Sequence, residues 1–233
     1  MKFDAYALKG RVAPAFLSII IPIMVFNHFY VSEEFSKFVG EILGAKLVSN
    51  LTISFICLIF LSEFGRLLGK NVFEKVFFND ERHMPTTNFM MFEDPTYSDQ
   101  HKNKIRNKIS DDFDTLLPTK EEETADQDNA RTRIVEVMAL VRKKLHGNKF
   151  LIQHNIEYGA MRNAIGGSVI GAVLSLANIV FFIYSTPNEL AVTISIATLI
   201  IYLSLIVLSK YIIEFYGNNY AKILYREYLG ENS

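Results

Sequence analysis

The chain has 233 residues, 50% of them hydrophobic, with a formal net charge of −1 and a single cysteine. So balanced a charge excludes a global field that would select nucleic acid or an acidic partner, and one cysteine excludes an intrachain disulfide. The apolar residues are clumped into long runs rather than spaced periodically, which argues against an ordinary soluble globule.

Residues 1–11 form a short basic-aromatic lead, with Phe3 and Tyr6 as candidate interfacial anchors. Residues 12–31 follow without a formal charge and are long enough for one membrane span, since a hydrocarbon core needs about 20 apolar residues as helix. The run is too long for a signal-peptide core and has no small-x-small cleavage site after it, so it reads as retained. Pro14 fits a first helical turn. Pro22 falls mid-span, removes a backbone hydrogen bond and predicts a kink, which serves either as shape or as a hinge. Residues 47–62 are a second, shorter span of about 16 residues, which reaches both interfaces if Lys46 snorkels. Cys57 lies inside it and reads as a small buried hydrophobe. Phe64, Leu67, Leu68, Val72, Phe73, Val76 and Phe77 then continue at helical spacing, so the second span is expected to run on as an amphipathic helix.

Residues 84–95 carry a proline near each end and apolar residues between, the pattern of a packed loop or short strand. Ser98 is a candidate N-cap for a helix to about Ser110, and that helix carries the basic run Lys102, Lys104, Arg106 and Lys108. Thr119, followed by Glu121, Glu122 and Glu123, marks another helix start. Residues 125–129 are polar enough for a bend. Ile134, Val137, Met138, Val141 and Leu145 form one apolar face of the next helix, which ends in a second basic run, Arg142, Lys143, Lys144 and Lys149, around a C-capping Gly147. Helix resumes over residues 150–163 and leads into a third span, residues 164–184; the short loop 185–189 turns the chain into a fourth, residues 190–209.

In the third span Gly167, Gly171 and Ser175 are spaced by four, with Asn178 on the same face. Small residues at this spacing let helices approach closely, as an oligomer contact, an intrasubunit contact or a pore wall. The fourth span carries Thr193, Ser195, Thr198, Tyr202 and Ser204, and continues as an aromatic-rich amphipathic stretch, residues 211–228, expected to pack on the central block or lie at the interface.

Lysine and arginine flank the spans on the side of both termini and the central block, which places those parts in the cytoplasm. The chain thus reads as an all-α membrane protein with four transmembrane helices in two hairpins, within residues 1–65 and 163–209. A mainly helical cytoplasmic domain, residues 66–162, is inserted between spans two and three, and a cytoplasmic C-terminal helix, residues 210–233, closes the chain. No Walker loop, dinucleotide fingerprint, nucleophile elbow or metal-ligand spacing occurs, so neither an enzyme nor a cofactor is expected. No Asp, Glu, Lys or Arg falls in the middle of a span, which disfavours proton-coupled transport but not a pore lined by hydroxyls or apolar constrictions. The two basic runs are either solvated helix faces beside anionic headgroups or an anion site.

Several local motifs, in order, resemble a family of small bacterial four-span proteins. They are residues 6–14 (Tyr6 to Pro14), residues 84–88 (Met84-Pro-Thr-Thr-Asn88) with Glu93 and Asp94, residues 117–123 (Leu117-Pro-Thr-Lys-Glu-Glu-Glu123), and residues 157–163 (Glu157-Tyr-Gly-Ala-Met-Arg-Asn163). The family is that of transmembrane effectors of antiphage defence encoded beside a nucleotidyltransferase, the Hailong-type effector being the nearest. The chain departs from it at Ala160 and Met161, where a second aromatic is typical.

The resemblance implies an oligomeric inner-membrane ion channel, with a tetramer favoured, controlled by a nucleotide or oligonucleotide made by the partner enzyme and depolarising the membrane. It makes Lys102, Lys104, Arg106, Lys108, Arg142 and Lys143 the candidate ligand residues. Glu157 and Arg162 become candidates for coupling the cytoplasmic domain to the third span, and Pro22, Gly167, Gly171, Ser175 and Asn178 candidates for helix packing or pore. The alternative function is a membrane-anchored scaffold that recruits a cytoplasmic partner and conducts nothing.

Overall fold

The structure is a computed structural model that describes residues 10, 13–31, 60–61, 63–79 and 81–230. The basic-aromatic lead apart from Gly10, Cys57 and almost all of the second apolar stretch lie outside the described residues. The described residues are helical with connecting turns, and no strand occurs among them. In chain order the helices are α1 (Ala13–Phe26), α2 (Lys75–Phe78), α3 (Pro85–Asn88), α4 (Asp99–Phe113), α5 (Lys120–Ala125), α6 (Gln127–Lys144), α7 (Lys149–Tyr184), α8 (Glu189–Val207) and α9 (Ser209–Gly230). Two π-helical segments, Asn27–Val31 after α1 and Gly69–Glu74 before α2, join them.

Two helices, α7 and α8, are long and apolar enough to cross a membrane by length and composition. At 1.5 Å per residue α7 spans about 54 Å, more than a hydrocarbon core of roughly 30 Å requires. The chain separates into two compact units: Met1–Phe73 with Gly159–Lys210, and Glu74–Tyr158 with Tyr211–Ser233. Both α7 and α9 therefore contribute residues to each unit.

In the second unit, local capping sets where helices begin. Ser98 Oγ accepts from His101 N at the start of α4. Thr119 and Glu122 form a reciprocal capping box at α5, and Asp126 breaks the chain with φ −151° and caps α6 through Asn129 N. Each cap satisfies backbone donors that a helix start leaves open. Gly147 has φ +93°, a left-handed turn between α6 and α7 that glycine adopts without strain. The core joins Phe89, Met90 and Met91 to Ile105 and Ile109 of α4, the α6 face of Ile134, Val137, Met138, Val141 and Leu145, and Ala221, Leu224, Tyr225 and Tyr228 of α9. Of the two places open to the C-terminal stretch, packing on the core is seen for the last part of α9, through Ala221, Leu224, Tyr225 and Tyr228. Residues 84–95 are a short helix followed by turns, with Met90 and Met91 fully buried, not a strand. α8 and α9 are separate helices, because the helix breaks at Leu208 before α9 begins.

In the first unit, α7 packs against α1, against the helical residues 63–68 and against α8. Near the α7–α8 turn an aromatic cluster closes the unit, with Phe182 and Ala191 buried against Val25 and the Phe26 and Phe181 rings 5.2 Å apart.

Candidate functional site

The first basic run does not form one patch. Helical phase places Lys102 and Arg106 on the same face of α4 as the buried Ile105 and Ile109, and both turn inward. Lys102 is 1% exposed, and its Nζ donates to Met91 O at 2.6 Å, to Phe92 O at 3.4 Å and to Asp94 O. Arg106 donates to Pro118 O and Met90 O, each at 2.6 Å, and its guanidinium lies 4.2 Å from the Phe92 ring centre. Burial holds the Arg106 pKa below the usual arginine value, against the pull of Glu123.

Lys104 faces outward in an open hollow of about 800 Å³ with Ser98, Gln100, His101, Asn103 and Asn107. Lys108 instead approaches Asp112 at 3.9 Å and lies over the Tyr228 ring. In the second run Arg142 pairs with Glu81 at 2.9 Å, Lys143 is exposed, and Lys144 pairs with Asp112 at 2.7 Å. The structure therefore brings the two runs together at one place, the Asp112 carboxylate, and nowhere gathers all six candidate cations.

Asp112 is a tie between three helices: α4 carries it, α6 supplies Lys144, and the Tyr228 hydroxyl of α9 donates to it at 2.8 Å. The hydrogen bond from Lys144, with that from Tyr228, holds the carboxyl below its ordinary pKa despite partial burial. A folded-state pKa lower than the unfolded one stabilises the fold above the unfolded value, and the benefit is lost as pH falls through the folded value. Asp112→Asn is therefore expected to lower the thermal midpoint at pH 7 and to lessen the further loss of stability below about pH 4, read from midpoints across a pH series.

Two residues missed by reading charge runs hold the 84–95 segment from other sides. Arg131, 6% exposed, donates to Arg82 O at 3.1 Å, to Asn88 Oδ1 at 2.6 Å and to Glu93 Oε1 at 2.9 Å. Glu123, also 6% exposed, accepts from Phe92 N at 3.0 Å and from Glu93 N at 3.4 Å. The segments 84–94 and 117–123 thus meet in space through Arg106, which donates to Met90 O and Pro118 O, and through Glu123, which accepts from Phe92 N and Glu93 N.

Of the two coupling candidates, Glu157 binds within its own helix, to His154 Nδ1 and Gln153 Nε2, each at 3.2 Å. Arg162 Nε reaches Asn163 Oδ1 at 3.5 Å. The buried partner is the neighbour, Tyr158, whose hydroxyl donates to Glu74 Oε2 at 2.6 Å, with both residues less than a tenth exposed.

The packing candidates Pro22, Gly167, Gly171, Ser175 and Asn178 do converge, on one seam of the first unit. Pro22 has no N–H for Ser18 O, and α7 approaches this carbonyl closely: a Cβ on Gly171 would stand 2.4 Å from Ser18 O and 2.6 Å from the Tyr202 ring. A Cβ on Gly167 would stand 2.5 Å from Ser18 Oγ. Asn178 Nδ2 donates to Pro22 O at 2.8 Å.

On α8 the buried positions Ala191, Ser195, Thr198 and Tyr202 repeat at four, three and four. Gly171 against Tyr202 and Phe182 against Ala191 fix an antiparallel register that sets Ser175 opposite Thr198 and Asn178 opposite Ser195. A second crossing involves glycines that charge and hydropathy did not single out: Gly166 meets Gly65 and Gly69, and Gly69 meets Arg162 O. The signal was present as Gly65-x-x-x-Gly69, a small-residue pair at helical spacing.

Among the described residues no group of three or more His, Cys, Asp or Glu side chains is placed to hold a metal ion. No protein family, no curated protein and no solved structure matches the chain.

Proposed function

We propose that the protein is an oligomeric inner-membrane ion channel with four membrane spans, gated by a nucleotide or oligonucleotide bound on the second unit and depolarising the membrane in antiphage defence. The observation that carries this reading is the inside-out arrangement of α7 and α8. Val173, Leu176, Val180, Ile196, Ile200 and Leu203 are exposed on their outer faces, while serine, threonine and asparagine are buried between them. Large exposed apolar faces on helices of spanning length belong in lipid, and neutral polar groups kept inside suit a path for water or ions rather than a proton relay. The motif resemblance adds the nucleotide ligand, the tetramer and the partner nucleotidyltransferase. With Lys102 and Arg106 turned inward, Lys104 and Lys143 are the basic candidates that face solvent for a phosphate.

The purified full-length protein in planar bilayers is expected to give discrete current steps that short oligonucleotides suppress. Silent bilayers containing protein shown to be inserted overturn the channel, and a strictly monomeric protein in several mild detergents overturns its oligomeric form. The scaffold reading then leads; it is favoured by apolar side chains exposed on the second unit, Leu116 at 72% and Phe150 at 63%, which suit a protein partner.

A further inference from the structure

Helical hydroxyls in lipid usually hide by donating to their own backbone carbonyl one turn back. Ser168, Thr193, Thr198 and Ser204 do so, to Ala164 O, Glu189 O, Ile194 O and Ile200 O, at 2.7–2.8 Å. Ser175 and Ser195 do not: each Oγ is buried without a hydrogen-bond partner, in residues 0% and 1% exposed. A buried unpaired hydroxyl is costly when its own carbonyl is one rotamer away. In the register fixed by Gly171 against Tyr202, these two hydroxyls face Thr198 and Asn178 across one seam. The seam therefore keeps two donor–acceptor groups unspent beside an amide, enclosed by apolar outer faces.

We propose that this α7–α8 seam, through Ser175, Asn178, Ser195 and Thr198, is the hydrated path along which ions cross, shut where Gly171 meets the Tyr202 ring and opened when α8 moves off α7. The inference rests on the channel reading. Water supplies the partners that Ser175 and Ser195 lack, so opening satisfies groups that the shut seam leaves unpaired. The lining carries no formal charge, so the path takes small monovalent ions with weak discrimination between them.

The test uses the full chain in a Cys57→Ser background, in planar bilayers, with a membrane-impermeant cationic methanethiosulfonate added to the bath. Ser175→Cys and Ser195→Cys are compared with Val180→Cys and Ile196→Cys, which lie on the exposed apolar faces. Thr198→Cys replaces either seam variant that fails to fold. Loss of current in the seam variants, with the outer-face variants unaffected, is the expected result. Undiminished current through reagent-treated seam variants, or loss in the outer-face variants instead, overturns the seam while leaving the channel standing. A parent protein that carries no current overturns both.

Discussion

Gly166→Ala is expected to lower the thermal midpoint of the detergent-solubilised protein sharply, although alanine is the better helix former. The added Cβ would stand 2.1 Å from Gly65 O and 2.5 Å from Gly69 N. Both obstacles are backbone, so no rotamer change relieves them, and two helices must move apart. Overpacking costs typically about 1–3 kcal/mol, and a clash with rigid backbone belongs at the upper end, about 3 kcal/mol. The helix-propensity gain of roughly 1 kcal/mol offsets part of that, leaving a net loss of about 2 kcal/mol.

The control is the same substitution at Gly217 in α9. There the nearest atom to the new Cβ is Pro85 Cγ at 3.3 Å, with Phe78 Cζ and Pro85 Cδ at 3.5 Å. Those are side-chain atoms that yield by a few tenths of an ångström, so Gly217→Ala is expected to stay within about 1 kcal/mol of the parent. Midpoints that fall equally in the two variants would show that Gly166 does not sit at a backbone-to-backbone crossing.

What the sequence made legible follows from how local each cause is. Ser98, Thr119 and Gly147 were readable because caps and left-handed turns depend on a few neighbouring residues. The apolar face Ile134, Val137, Met138, Val141 and Leu145 was readable because burial follows helical phase. The 4-4-3 spacing of Gly167, Gly171, Ser175 and Asn178 announced a packing face, but not that α1 and α8 would meet it, because partner choice is a long-range matter. Tyr158 and Glu74 are 84 residues apart in sequence, and no periodicity connects them. Lys102 and Arg106 were misleading for another reason. Counted as charges with Lys104 and Lys108 they form a run; counted by phase they share a face with Ile105 and Ile109. Their carbonyl partners come from Met90, Met91, Phe92, Asp94 and Pro118, in loops whose course the sequence leaves open.

That burial makes Lys102→Met the most informative single change in the second unit. Methionine keeps an unbranched apolar stem of similar length, so the core position stays filled. What is lost is the ammonium that serves Met91 O, Phe92 O and Asp94 O. Hydrogen bonds to a charged donor are worth about 1.5–3 kcal/mol, and each buried acceptor left unpaired costs about 1–3 kcal/mol. Allowing for relaxation of the segment toward water, the expected loss is about 3 kcal/mol. Lys104→Met removes the same charge two residues along α4, from a side chain that faces solvent, and is expected to change stability by no more than about 0.5 kcal/mol. Equal denaturation midpoints for the two variants would mean that the Lys102 ammonium is not holding the segment. The pair also decides how a ligand site on this unit is to be mapped. A Lys102 or Arg106 variant that fails to bind an oligonucleotide reports the loss of residues 84–95 as a folded segment before it reports anything about phosphate contacts. Loss of binding in Lys104→Met or Lys143→Met, with the midpoint held, would instead locate phosphate contacts on the solvent face, where a soluble anion can reach them.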